Sequence, residues 1–217
     1  EDRKLNSLMK YFSYFTHKAR SNVKLIVIDM YSPYISLIKK MFPNANIIVD
    51  KFHLVNLIST SLNKIRINIM KKDKKNYNKL KRYWKLILKS QDELDNSKWR
   101  KWRCFDKLMT QSDVVSYLIN THVELKETYE IYQNILYSIK NNKYNNLEII
   151  LNNTSDKISS YMKTSVKTLR EYLPYIKNTL SNPYHNGFVE GNNNFIKVLK
   201  RIAFGFRSFR RFKARIM

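Results

Sequence analysis

Two runs decide the fold: Val23-Lys-Leu-Ile-Val-Ile-Asp29 and Ala45-Asn-Ile-Ile-Val-Asp50. Each is a nearly continuous series of apolar, mostly β-branched residues that ends in an acid, which is typical of a strand buried on both faces of a parallel sheet. Between them, Ser32-Pro33 is a helix start signal, and residues 34–42 are expected to be helical until Pro43-Asn44 ends the helix. The stretch therefore predicts a right-handed βαβ unit.

The two acids end neighbouring strands, and ligands of open parallel sheets bind at the carboxyl ends of the strands. Asp29 is a candidate for catalysis or metal binding at this edge, with capping of the next helix as the alternative. Asp50 opens a long helix, and its position favours the structural role of an N-cap over direct metal binding. His53 follows in the first turn of that helix, where it is either a packed, hydrogen-bonded histidine or a group near the site.

The flanking segments are predicted to be helical. Leu5 to Lys18 carries apolar residues at the spacing of one amphipathic helix. From about Lys71 to Leu180 the pattern predicts four or five helices and no strand, which we interpret as an inserted helical subdomain. Asn153-Thr-Ser-Asp156 is its best N-cap cluster. Breaks between helices are expected at residues 90–97, 111–113, 140–146 and 152–155.

A further candidate acid, Glu190, lies in the last part of the sequence, in Asn182-Pro-Tyr-His-Asn-Gly-Phe-Val-Glu190-Gly-Asn-Asn-Asn-Phe-Ile-Lys197. Turn residues indicate that a helix starts close to Asn186. Glu190 then lies opposite the apolar stripe of this helix, and no Asp or Glu follows it. The alternative is a basic surface helix with an incidental glutamate. Seven of the cations that follow Glu190 are predicted to contact phosphate groups: Lys197, Lys200, Arg201, Arg207, Arg210, Arg211 and Arg215.

Composition restricts the class of protein. The formal net charge is +24, from 41 Lys and Arg against 17 Asp and Glu, which indicates a polyanionic partner, most commonly nucleic acid. An anionic membrane surface is the competing partner, but no run approaches the ~18 apolar residues of a spanning helix. The single cysteine, Cys104, excludes a disulfide framework or a cysteine-based zinc site within one chain, and we expect its side chain to be buried. A reducing, intracellular location is the default.

Three separated motifs together resemble the catalytic domain of the ISL-three family of insertion-sequence transposases, which use a triad of two aspartates and one glutamate (DDE). The motifs are Val-Ile-Asp29-Met-Tyr-Ser-Pro-Tyr, Phe-Pro-Asn-Ala-Asn-Ile-Ile-Val-Asp50-Lys-Phe-His53, and His-Asn-Gly-Phe-Val-Glu190-Gly-Asn-Asn-Asn-Phe-Ile-Lys-Val-Leu-Lys-Arg, followed by Phe-Gly-Phe-Arg-Ser-Phe. The resemblance implies an α/β fold with an RNase H-like core interrupted by a large all-α insertion. Residues 1–55 would be core, 56–180 the insertion, and 181–217 the return helix and basic tail.

The resemblance also implies a function, namely cleavage and transfer of DNA strands at insertion-sequence ends with Mg²⁺ or Mn²⁺. Asp29 and Glu190 would be the second and third acids of the triad and would bind metal, and Asp50 and His53 are further candidates for residues near the site. The partners would be element-end and target DNA and further copies of the protein, with no membrane, in the bacterial cytoplasm at the nucleoid. The alternative function is a catalytically inactive, DNA-binding transposase remnant.

The first aspartate of the triad is expected upstream of Glu1, together with the first strands of the core, so the chain is interpreted as a fragment that is inactive alone. Asp2 precedes a helix and is a poor substitute. His17, His122 and His185 lack partners at metal-ligand spacing and are expected to have no chemical role.

Overall fold

The computed structural model describes residues 4–184 and 186–216, and within them the chain is mostly α-helical with a minor β component. The predicted mixed α/β character is therefore confirmed. The chain divides into two compact units, residues 1–182 and residues 183–217. The proposed domain bounds at residues 55 and 180 stay a prediction. Asp2 and His185 lie outside the described residues.

The βαβ unit is present where the sequence predicts it. Strands β1 (Leu25–Ile28) and β2 (Asn46–Val49) pair in parallel, in a register that runs from Leu25 opposite Asn46 to Ile28 opposite Val49. Helix α3 (Ser32–Met41) joins them, with Pro33 in its first turn. The apolar face of α3 and the strands share a small core, formed by Ile28, Leu37, Ile38, Met41, Phe42 and Ile47.

The expected single helix over residues 5–18 is wrong, because two helices occupy this segment. Helix α1 (Leu5–Ser13) packs apolar residues against the βαβ core, and the rings of Phe12 and Phe42 meet edge to face at 5.0 Å. Helix α2 (His17–Ser21) starts anew because the Thr16 side chain accepts a hydrogen bond from the backbone N–H of Ala19 at 3.2 Å. Thr16 therefore acts as an N-cap.

The outer edge of β2 is closed by side chains of a distant helix, α10 (Ser160–Ser181). The buried hydroxyl of Thr179 accepts a hydrogen bond from Val49 N–H at 2.9 Å and lies 2.9 Å from the Val49 carbonyl oxygen. The Asn178 amide donates to the Ile47 carbonyl at 3.1 Å. These contacts use the backbone groups with which a further strand would have to pair. Among the described residues, a third strand could be added to this sheet only beside β1.

The remaining helices of the first unit form its large core. Helix α4 (Lys51–Lys72) packs against α8 (Val123–Lys140) and α10, and its residues Leu54, Ile58 and Leu62 are completely buried. Tyr132 on α8 is also buried, and its hydroxyl donates to the Leu88 carbonyl at 2.7 Å. The other helices are α5 (Tyr77–Arg82), α6 (Trp84–Ile87), α7 (Gln111–Ile119) and α9 (Tyr144–Asn152).

Four expectations for this region need correction. The segment contains a small antiparallel hairpin, β3 (Arg100–Lys101) and β4 (Leu108–Met109), where no strand was expected. Six helices, not four or five, lie between residues 77 and 181. Helix α10 is capped by Ser159, which accepts from Met162 N–H at 3.3 Å, and not by the cluster at residues 153–156. The breaks near residues 90–97, 140–146 and 152–155 are confirmed, whereas Gln111 is the first residue of α7.

The second unit consists of two helices, α11 (Gly187–Ile202) and α12 (Phe209–Ile216), and α11 starts beside Asn186 as predicted. The connection turns sharply at Phe204 and Gly205, which have positive φ angles of 50° and 96°. Beyond this turn, the rings of Phe206 and Phe212 pack together at 4.6 Å. Neither helix buries a side chain among the described residues.

Candidate active site

The candidate site is built at the carboxyl end of the two parallel strands. Asp29 directly follows β1 and Asp50 directly follows β2, and the backbone N–H of Asp50 donates to the Ile28 carbonyl at 3.0 Å. The in-register pairing of the strands therefore brings the two acids to the same edge of the sheet, as the sequence predicts.

Asp50 and Asp29 have different surroundings. The Asp50 side chain is buried, and its Oδ1 accepts a hydrogen bond from Phe52 N–H at 2.9 Å, so it caps α4. This contact favours the structural role predicted for Asp50. The Asp29 side chain is 56% exposed, which leaves it accessible to a ligand at the sheet edge.

Asp29 is brought together with His53 by the start of α4. Its Oδ1 lies 2.9 Å from His53 Nε2, and a carboxylate oxygen only accepts, so the imidazole donates. His53 is held by the first turn of α4, where its backbone N–H donates to the Asp50 carbonyl at 3.1 Å. Asp50 thus fixes the helix start, the helix fixes His53, and His53 orients the Asp29 carboxylate.

The residues at this edge fit part of a divalent-metal site. Mg²⁺ and Mn²⁺ prefer carboxylate oxygens, and Asp29 presents one that is accessible and oriented by a second group. Across residues 4–184 and 186–216, no three His, Cys, Asp or Glu side chains form a group that could hold a metal ion. Asp29 therefore fits as one ligand of a metal rather than as part of a complete cage within the described residues.

Glu190 lies in the second unit. It is exposed in the first turn of α11, and its backbone N–H donates to the Asn186 carbonyl at 2.9 Å. The structure thus brings Asp29, Asp50 and His53 together in one unit and places Glu190 in the other. Of the remaining histidines, His17 contacts Ser21 and His122 contacts Thr121 through hydroxyl groups.

The second unit is strongly cationic. Glu190 is its one acid, against eight Lys and Arg residues. All seven cations predicted to bind DNA have exposed side chains in the structure. They are distributed as Lys197, Lys200 and Arg201 on α11, Arg207 in the connection, and Arg210, Arg211 and Arg215 on α12.

Comparison with known proteins defines the class. Residues 1–216 match the model of the ISL-three transposases with a DDE domain, which is described simply as a transposase. The chain belongs to the ISL-three family of transposases, as its motifs predict. No solved structure matches the chain. Across the described ranges, no helix combines the length and apolar character that crossing a membrane requires.

Two curated relatives are similar to the chain. The transposase of insertion sequence element IS1001 from Bordetella parapertussis is 27% identical over 203 residues, which cover 91% of this chain and 47% of that protein. A protein of Lactococcus lactis subsp. lactis named ATP-dependent protease is 43% identical over 109 residues, which cover 50% of this chain and 35% of that protein. The chain therefore spans half or less of the length of each relative.

Proposed function

We propose that this chain is part of the catalytic domain of a DDE-type transposase that cleaves and joins DNA strands at insertion-sequence ends. The observation that supports this most directly is the exposed Asp29 carboxylate at the end of a parallel strand, oriented by His53, in a chain of this family. The family model matches nearly the whole chain, whereas the relative named as a protease matches only half of it. The proposal therefore follows the family.

The proposed roles divide between holding metal and holding the site. Asp29 and Glu190 are metal ligands, as the second and third acids of the triad, and the remaining ligand is the first aspartate of the triad. Divalent metal, when bound, would activate the attacking oxygen and stabilise the leaving oxygen of a phosphodiester. His53 is a positioning residue that keeps the Asp29 carboxylate turned toward the site, and Asp50 is structural. In the whole protein the partners are element ends, target DNA and further copies, in the bacterial cytoplasm.

An RNase H-like core is the fold proposed for the whole catalytic domain. Its remaining strands would add beside β1, because Thr179 and Asn178 already occupy the outer edge of β2. The proposed insertion is residues 56–180, which contain most of α4 and α10, the helices between them and the hairpin. This arrangement agrees with an Asp29 strand that is central in the complete sheet.

Metal-dependent cleavage tests the proposal directly. Purified full-length protein is expected to nick plasmid DNA carrying the element ends in Mg²⁺ or Mn²⁺, and EDTA should abolish the nicking, because the attacking and leaving oxygens then lose their cation. A plasmid without the ends is the control. If the protein binds the ends but cuts in neither metal, it is the inactive DNA-binding remnant and the proposed activity is wrong.

The basic second unit is proposed to contact DNA phosphates. Replacing Arg210, Arg211 and Arg215 with Gln in the full-length protein should flatten the plot of log K against log salt on duplex DNA by about 0.9 per lost contact. Filter binding or fluorescence anisotropy across a salt series measures the slope.

The matched control removes the same number of exposed charges from the helical part of the first unit, in a triple variant of Lys126, Lys157 and Lys167 to Gln. It should leave the slope unchanged. An equal slope for wild type and the arginine variant would mean that the α12 cations are solvated in the complex.

A further inference from the structure

The β3–β4 hairpin is anchored to the helical part of the first unit by aromatic side chains. The Trp102 indole N–H donates to the Met109 carbonyl at 2.8 Å, and its ring meets Tyr83 at 5.3 Å. Phe105 is buried against Tyr83 and Tyr117, at ring distances of 5.9 and 5.2 Å. The inner aromatic residues of the hairpin are therefore fully used in anchoring it.

Its outer face is aromatic and apolar but exposed. The side chain of Trp99, just before β3, is 64% exposed, and Leu108, which pairs with Lys101 across the hairpin, is 58% exposed. Trp99 and Leu108 border a surface groove together with Lys107, Met109 and Tyr117, and with Asp113, whose carboxylate is engaged in capping α7. Packing within the unit thus accounts for Trp102 and Phe105 but leaves most of the Trp99 ring in solvent.

The same segment is rich in cations. Residues 98–107 contain five Lys or Arg and one acid, Asp106. Arg100 is engaged within the unit, 3.6 Å from Asp95 and over the Trp102 ring. Four further cations have exposed side chains: Lys98, Lys101, Arg103 and Lys107. The prediction that Cys104 is buried is wrong. Cys104 is exposed in the turn of the hairpin, with a positive φ of 73°, and lies between the exposed cations.

We propose that this hairpin is a second nucleic-acid contact, separate from the cations of α11 and α12, in which Trp99 stacks on an unpaired base and Lys101 and Lys107 contact the neighbouring phosphates. An exposed aromatic ring among cations is the combination that binds single strands, because every base offers a π face and every nucleotide a charge. A protein partner of ordinary composition would match the Trp99 and Leu108 surface but not the surrounding positive charge.

This inference rests on the proposed role in cleaving and joining DNA strands, because the bases beside a strand end unpair more readily than those within a duplex. It adds a substrate preference to that role: the protein should bind a duplex with unpaired bases at its end more tightly than a blunt duplex. The preference should depend on the bases themselves and not only on the additional phosphates.

The test uses the full-length protein without divalent metal and three labelled probes: a blunt duplex, the same duplex with a short overhang, and that overhang with abasic sites. Trp99→Ala should weaken binding to the base-bearing overhang at least about fivefold, the lower range for loss of one base stack. It should leave the blunt and abasic probes unchanged. Trp99→Phe should retain part of the preference, because phenylalanine still stacks.

Tyr137→Ala is the matched control, since Tyr137 is a 49% exposed aromatic residue with the Lys143 ammonium 4.7 Å from its ring centre. It should change none of the three affinities. Equal overhang affinity for wild type and Trp99→Ala would overturn the inference, and so would an equal loss on all three probes. A change in sedimentation with unchanged overhang binding would also overturn it and would assign Trp99 to a protein contact.

The two proposals fail separately. A wild-type protein that prefers the overhang but never cleaves would contradict the proposed catalytic activity and support the hairpin contact. A protein that cleaves with metal but binds the overhang equally well with and without Trp99 would contradict the hairpin contact alone.

Discussion

Replacing Asp29 with Asn, or Glu190 with Gln, is expected to slow metal-dependent strand cleavage by the full-length protein about a thousandfold, since a metal contributes several kcal/mol to stabilising the transition state. Each replacement keeps the size of the side chain and removes its negative charge. In Asp29→Asn, the new amide oxygen can still accept from His53, so the sheet edge should remain folded. Rates of plasmid nicking and DNA affinity are the two measurements, and only the rate should change.

The neighbouring strand end supplies the control. Asp50→Asn makes the same chemical change one strand away, but asparagine is as good an N-cap as aspartate. Its side-chain oxygen can still accept from Phe52 N–H, so cleavage should remain near the wild-type rate. Glu130→Gln, on the exposed surface of α8, is the corresponding control for Glu190. If Asp50→Asn is as slow as Asp29→Asn, Asp50 binds metal and its capping role is secondary.

Much of this edge could be predicted from sequence because it depends on local patterns. The apolar runs before Asp29 and Asp50 are too continuous for a solvated segment, and the helix between them forces parallel pairing. Asp50 stands where an N-cap belongs. The contact between His53 and Asp29 follows from these features only once the helix start is fixed, because a shift of one residue would turn the imidazole elsewhere.

Other features depend on contacts that periodicity does not report. The β3–β4 hairpin has two-residue strands, too short to show alternation, and it is stabilised by Trp102 and Phe105 against Tyr83. The apolar spacing continues past Ser13, where α1 ends, but the Thr16 side chain caps a new helix, and this local contact outweighed the pattern. The prediction that Cys104 is buried was wrong, because the following residue, Phe105, enters the core and Cys104 lies exposed in the turn.

The role of Glu190 could not be predicted from local sequence patterns either. Its helix start could be predicted from Asn186 and Gly187. Its pairing with Asp29 was inferred from family motifs, since no local pattern relates residues 161 positions apart along the sequence. Asp29→Asn and Glu190→Gln in the cleavage assay therefore test whether the two acids act in one active site, which the structure of each unit by itself does not answer.

Replacing Thr179 with Val should strongly destabilise the sheet. Valine nearly keeps the shape of threonine but lacks the hydroxyl. The Thr179 hydroxyl oxygen lies 2.9 Å from both the Val49 nitrogen and the Val49 carbonyl oxygen, 130 residues earlier in the chain, and both groups lose this buried partner. Leaving a buried donor and acceptor without partners costs about 1–3 kcal/mol each, so the free energy of unfolding of this region should fall by about 2–6 kcal/mol. Amide exchange of β2 in the full-length protein, with urea unfolding beside it, measures this loss.

The same helix provides the matched control. Thr164 on α10 is exposed, and its hydroxyl donates to the Ser160 carbonyl at 3.1 Å within the helix, so Thr164→Val should change stability by less than about 0.5 kcal/mol. Thr179→Ser, which keeps the hydroxyl, should preserve most of the protection of the Val49 amide. If Thr179→Val leaves that amide protected, Thr179 does not close the outer edge of β2. The proposed placement of all further strands beside β1 would then lose its support.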